Sequence, residues 1–291
     1  MSENENNLKE LPVKAKDGAT KDNKLGVEAV NRQHSRKEGI LGFLENLARH
    51  FQTLAFMVFI FPLIFLYALA LGVAFFPGTY VMLSIWQNHQ SDSMGLLAFK
   101  LALGAGVGGI GFIAGLMVSV AVINLPFLPL VKVYRGPWFS LDSIPWLYHN
   151  ALFYLVRYTV LDFVTPTPLS QWFLKAMGMK IGPHSMINTS NISDPCLIEI
   201  GDHVTIGGSA YLMAHYGMNG FLIIDKLIIH RKANIGLHCM LMGAVEVGEG
   251  AQILPNTILL PKTKLAPNQK FANYPIESKD NPVQSIKKAS S

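Results

Sequence analysis
The chain has 291 residues, half of them hydrophobic, a net charge of +5 and a mean hydropathy of +0.31, which exceeds what a soluble domain needs. That length has room for about two domains. The small charge, with no basic cluster interleaved with aromatics, argues against a nucleic-acid partner, and two cysteines, Cys196 and Cys239, cannot build a disulfide framework and fit a reducing compartment.

Residues 1–38 are polar and mixed in charge, with almost no aliphatic periodicity, and read as a solvated tail. From Gly39 the segment GILGFLENLARHF places Ile40, Phe43, Leu44, Leu47 and Phe51 on one helical stripe, suited to lying along a membrane surface. Thr53 to Ile85 contains no charged residue, and about 20 apolar residues suffice to cross a bilayer. A spanning helix is expected there, kinked at Pro62 and Pro77. After the polar break WQNHQSDS, a second apolar run from Met94 to Leu130 completes a transmembrane helical hairpin, with Lys100 near enough to its start to snorkel. Residues 39–136 form this membrane unit.

Arg32, Arg36, Lys37 and Arg49 precede the first span, and Lys132 and Arg135 follow the second, while the connecting loop has no basic residue before Lys100. The positive-inside rule then puts the N-terminus and everything after the second span in the cytoplasm, in a multi-pass protein of the inner, cytoplasmic membrane. The glycine run from Gly104 contains a dinucleotide-type pattern but lacks the preceding strand that pattern requires. Gly104 with Gly108, and Gly111 with Gly115, make small faces for close helix packing in lipid. Residues 137–180 stay apolar but carry Asp142, His149, Arg157 and Asp162, and read as interfacial helices rather than the alternative third span, because charges in mid-membrane are expensive.

From Ile223 an aliphatic recurs every six residues, at Ile229, Ile235, Leu241, Val247, Ile253, Leu259 and Leu265. Neither a helix nor a plain strand has that period. Four places after each stands a mostly small residue, Cys239 among them, as a tight corner requires. The same phase appears at Ile200, Ile206 and Leu212, and more raggedly at Ile181 and Ile187. Residues 181–270 therefore form a hexapeptide-repeat solenoid, followed by a polar tail over 271–291.

IGLHCM, LMGAVE and VGEGAQ resemble the repeats of left-handed parallel β-helix acyltransferases. The lead-in TPLSQWFLKAMGMKIG, with two upstream spans, is also similar to the membrane-bound C-terminal regions of nonribosomal-peptide-synthetase-like proteins such as polylysine synthetases. The fold class these resemblances imply is a transmembrane hairpin followed by a left-handed β-helix. They also imply a homotrimer and transfer of an acyl group from acyl-coenzyme A, or from a carrier-bound thioester, to an amine or hydroxyl, with no metal. Partners so implied are membrane lipid and a peptide synthetase or carrier protein.

In that family a His acts as general base where a loop leaves the coil, and LMAHYGMNGF matches this arrangement. Leu212 to Ile223 spans eleven residues rather than six, so about five loop out after His215, the expected base. With the loop discounted, His238 stacks one rung from His215. The segment ISDPCLIEIG resembles the part of sugar acetyltransferases where an Asp six before the next aliphatic contacts the acceptor, which implies that role for Asp194, with Asn188 nearby and His238 as further substrate contacts. Asp before Pro is equally an ordinary turn former. Lys262 and Lys264, in the closing segment, are candidates for the coenzyme phosphates, or simply solvated. Two other readings stay open: a scaffold without catalysis, and a γ-carbonic-anhydrase-like metal site at His215 and His238.

Overall fold
The computed structural model describes residues 37–274, with Val30, His34 and Ser35 before them. Most of the tails expected at 1–38 and 271–291 lies outside the described residues.

Helix α1 (Gly39–His50) is amphipathic in an unusual sense. Its charged face turns inward, Glu45 and Arg49 being buried against Ser140 and Phe139, whereas Ile40 and Phe43 are 79% and 67% exposed. One residue later the chain enters α2 (Gln52–Gln87), a continuous helix through Pro62 and Pro77. After the polar loop, Ser93 caps α3 (Met94–Asn124) by accepting from the Leu96 amide. Both long helices are apolar enough to cross a membrane. They pack antiparallel through small residues. A Cβ on Gly108 would meet the Gly78 Cα at 2.9 Å, and one on Gly115 would meet the Ala74 Cα at 3.0 Å. Lower down, Ser119 donates to the Ala70 carbonyl at 3.2 Å.

A short strand, Tyr134–Gly136, follows α3, and then α4 (Ile144–Val156) lies against both long helices. Tyr148 donates to the Phe59 carbonyl at 2.7 Å and Tyr67 to the Ala151 carbonyl at 2.8 Å. A π-helical turn (Arg157–Leu161) and α5 (Pro168–Ala176) lead into the repeats.

From Lys180, apart from one hairpin, the strands are two or three residues long and fall into three parallel stacks, which the chain visits in rotation. One stack aligns Ile181, Ile200, Ile229, Val247 and Leu265. The second aligns Ile187, Ile206, Ile235, Ile253 and Phe271. The third aligns Leu212, Leu241 and Leu259, with Ile192 bridged to its edge. Three places after an aliphatic, the backbone turns through the left-handed region, at His184, His203, Lys232, His238 and Asn256 among others, with φ of 54–59°. A side chain there costs roughly 1–2 kcal/mol. Burying the aliphatic returns about 1.5–3 kcal/mol, so the corner is tolerated at every turn. The next residue, such as Ala210, Ala233, Cys239 or Ala251, packs inside, which is why small side chains recur there.

The phase assigned to Ile223 needs correction. Ile223 is not a coil position but lies in an antiparallel hairpin, His215–Met218 with Phe221–Ile224, so the departure from the coil is longer than five residues. Asn219 and Gly220 at its tip have φ of 51° and 84°, the two-residue turn that suits twisted strands. The hairpin also pairs with Tyr134–Gly136, joining the repeats to the chain that leaves α3.

The helix crossing yields a paired test. Gly108→Val is expected to destabilise the protein by about 1–3 kcal/mol, because overpacking against backbone cannot relax. Gly106→Val, with nothing within 4 Å of its Cβ, should be close to neutral; thermal unfolding in detergent compares the two.

Candidate active site
The first coil is irregular. Between Ile187 and Ile200 the chain runs NTSNISDPCLIE instead of a regular repeat, and Thr189, Ser190, Ser193 and Asp194 are all buried. Their polar groups are satisfied partly by the helices that cover them and partly by the coil itself. Ser193 Oγ is 2.7 Å from the Tyr154 hydroxyl and 3.4 Å from Arg157 Nη1, while Arg157 Nη2 donates to Asn191 Oδ1 at 3.3 Å. Ser190 donates to Asp162, and Thr189 donates to the Ala210 carbonyl at 2.7 Å. Arg157 also lies over the Tyr154 and Tyr158 rings, at 5.3 and 5.0 Å.

Asp194 has no exposed surface and a left-handed backbone. Its Oδ1 accepts from Trp146 Nε1 of α4 at 2.6 Å, and its Oδ2 accepts from the Ala214 amide at 3.0 Å. His215 Nδ1 lies 2.6 Å from the same Oδ2. The Asp194 amide donates to Asn150 Oδ1 at 3.3 Å, one turn beyond Trp146. We assign the His215 proton to Nδ1, because a carboxylate can only accept. The lone pair is then on Nε2, on a ring 23% exposed and packed edge-on against Trp146 at 5.0 Å. The carboxylate thus sets the tautomer of the ring and leaves Nε2 turned away from it.

Sequence reasoning placed His215 at the exit from the coil, and it is there. The acceptor contact assigned to Asp194 is corrected: its carboxylate is enclosed and engaged by three donors, so it faces His215 and not an incoming molecule. The stacking of His215 and His238 is also corrected. Leu212 pairs with Leu241, and Ile235 with Ile206, so His238 belongs to the preceding corner, where its amide donates to the Gly208 carbonyl at 3.0 Å. Asn188 is exposed beside that corner, near Gly208. The third stack therefore separates both residues from the dyad, and no two-His metal site forms there. The imidazoles that do stack are His184 and His203, at 4.9 Å. Among the described residues, no three His, Cys, Asp or Glu side chains are grouped as a metal site requires.

Lys262 occupies the left-handed corner on the hairpin's side of the coil, following Ala244 in that column. Lys264 is 2.8 Å from Glu246 on the adjacent strand of the same stack. Sequence reasoning missed Trp146 and Asn150 altogether. At Cys196, two residues after Asp194, burial and the Asp194 charge push the thiol up to about 12.

Behind Trp146 on α4, His149 is fully buried, with Nδ1 at 3.0 Å from Asn124 Oδ1 at the end of α3. Burial pulls its pKa down to about 4, with the Asp194 charge acting in the opposite direction.

No family model matches the chain, and no curated protein matches it by sequence. Among solved structures it is similar to a hexapeptide-repeat-containing acetyltransferase from Vibrio cholerae, at 15% identity over 43% of this chain and 85% of that one, with a TM-score of 0.36. It is also similar to the serine acetyltransferase of Neisseria gonorrhoeae, solved with serine, at 13% identity over 72% and 83% of the two chains, with a TM-score of 0.28. Overlaps this loose transfer no site, and the chemistry below rests on this chain's own residues.

Two variants probe the arrangement. Trp146→Phe keeps an aromatic ring and removes the donor to a buried carboxylate oxygen, which should cost about 1–3 kcal/mol of stability. Melting of the variant beside wild type measures it. For His149 the unfolded value is 6.5 and the folded value about 4. The unfolded chain therefore takes up a proton that the fold refuses. Stability should be full above the unfolded value and fall as pH drops from 6.5 towards 4, by on the order of 3 kcal/mol in all. His149→Gln should flatten the pH dependence of the melting temperature across that window.

Proposed function
We propose that this chain is a membrane-anchored acyltransferase whose general base is His215, oriented by Asp194. The observation that carries the reading is the 2.6 Å contact from Nδ1 to an enclosed carboxylate, made where the hairpin leaves the repeats. The three stacks are read as a left-handed β-helix, and α2 with α3 as a transmembrane hairpin that leaves the N-terminus and repeats in the cytoplasm.

In this mechanism the acceptor amine or hydroxyl approaches Nε2 and attacks the carbonyl carbon of a thioester. Nε2 takes the acceptor's proton as the new C–N or C–O bond forms, and Asp194 stabilises the imidazolium that results. The C–S bond then breaks and the proton passes to the departing thiolate. The donor is acyl-coenzyme A or a carrier-bound thioester. Lys262 is retained as a phosphate contact, because it shares the hairpin's corner column, whereas Lys264 is committed to Glu246. Asn188 and His238 are retained only as contacts for a remote part of a substrate. A homotrimer, and a synthetase or carrier-protein partner, complete the reading.

Free-thiol release from a panel of acyl-coenzyme A donors, with pooled amine and hydroxyl acceptors, tests it. His215→Ala is expected to reduce the rate by roughly 10²–10⁴-fold, as for loss of a general base. Asp194→Asn should also slow it, since an amide cannot stabilise the imidazolium. Full activity in His215→Ala with an unchanged oligomeric state would remove the proposal.

A further inference from the structure
A helix of 36 residues is about 54 Å long, well beyond the roughly 30 Å hydrocarbon core of a bilayer. The end of α2 joined to the polar loop is held at one membrane face, so the surplus lies at the other end, beside α1. There the outward residues stay apolar, with Leu54 62%, Met57 61% and Phe61 62% exposed, and at the matching end of α3 Val122 is 59% exposed.

The inward side of this same level carries α4, through Tyr148 on Phe59 and His149 on Asn124. One turn before His149 is Trp146, whose ring is 5.0 Å from that of His215. The reactive imidazole is therefore only side chains away from the end of α3. The hairpin starting at His215 runs along the strand after α3, and a Cβ on Gly217 would lie 3.3 Å from Trp138. Met218 and Trp138 are 41% and 38% exposed. Near the hairpin's tip Phe221 packs under Arg135, and the charged inner face of α1 shares a cleft with both, leaving its apolar stripe outward.

We propose that the acceptor is a membrane amphiphile, whose amine or hydroxyl headgroup reaches His215 past Trp138, on the hairpin face that His215 shares with Gly217, while its hydrocarbon stays beside α1 and α2. This rests on acyl transfer at His215 and names its substrate class. The headgroup N–H or O–H proton goes to Nε2, the acyl carbon bonds to the headgroup, and the thiol leaves with the proton.

The test uses the full chain reconstituted in phosphatidylcholine vesicles, with acetyl- and longer-chain acyl-coenzyme A as donors. Vesicle-borne phosphatidylethanolamine and monoacylglycerol are compared with free ethanolamine and glycerol at equal total concentration. Thiol release is followed and the acylated product identified by mass spectrometry. Transfer to the vesicle-borne acceptors at least about tenfold faster is expected, since confinement raises the local acceptor concentration. Trp138→Asp, an exposed change, should lower that transfer several-fold, and an unchanged rate would overturn the route. Equal or faster His215-dependent transfer to the soluble headgroups would overturn the amphiphile while leaving the acyltransferase standing. No transfer from any donor to any acceptor would overturn both.

Discussion
Everything in this structure that departs from a plain repeat meets at the Asp194 carboxylate. A charge with no exposed surface is strongly unfavourable unless its oxygens are occupied, and here the donors come from a helix and from two neighbouring residues where the hairpin leaves the coil. Trp146 is on a helix packed against the apolar pair, Ala214 closes a coil, and His215 opens the hairpin. Asp194 is thus the point where helices, repeats and hairpin are held in one arrangement.

The demands on α4 follow from that position. It must present an apolar surface to α2 and α3, yet also satisfy a buried polar loop. It does so with two faces. Leu152 and Phe153 are buried in the core, whereas Trp146, Asn150 and Tyr154 recur every four residues along the other side. Each of these three meets the Asn191–Asp194 stretch, and Arg157 continues the row at the π-helical turn, where the extra residue shifts the helix face. The polar composition of NTSNISD is the counterpart of that row. A regular hexapeptide would offer it only aliphatics and small corners.

The repeats were legible because each turn buries one aliphatic and one small residue, which stamps a six-residue period on the sequence. The two long helices were legible because a charge-free run leaves few alternatives. The hairpin was not, for a specific reason. Ile223 falls by coincidence on the six-residue phase, which disguised a strand as a coil position, although Asn219–Gly220 between apolar residues is a strong hairpin signal. The same slip moved His238 next to His215 on paper, one whole stack from where it stands. The role of Asp194 was hidden differently. Its partner Trp146 is 48 residues away, on a segment whose apolar character spoke only of packing.

The left-handed corners make clear what singles out Asp194. At His184, His203, Lys232 and His238 the corner residue is exposed, because that backbone turn points its side chain away from the coil. Asp194 has the same backbone conformation, but its corner comes two residues after Ile192, where the regular turns take three, and α4 lies directly on it. A side chain that elsewhere would meet water instead meets an indole N–H, a backbone amide and an imidazole. The orienting carboxylate is therefore made from an ordinary corner by covering it, and the cover is supplied by the helices outside the repeats. It follows that the repeats alone, without α4, would leave Asp194 hydrated and His215 without a fixed tautomer.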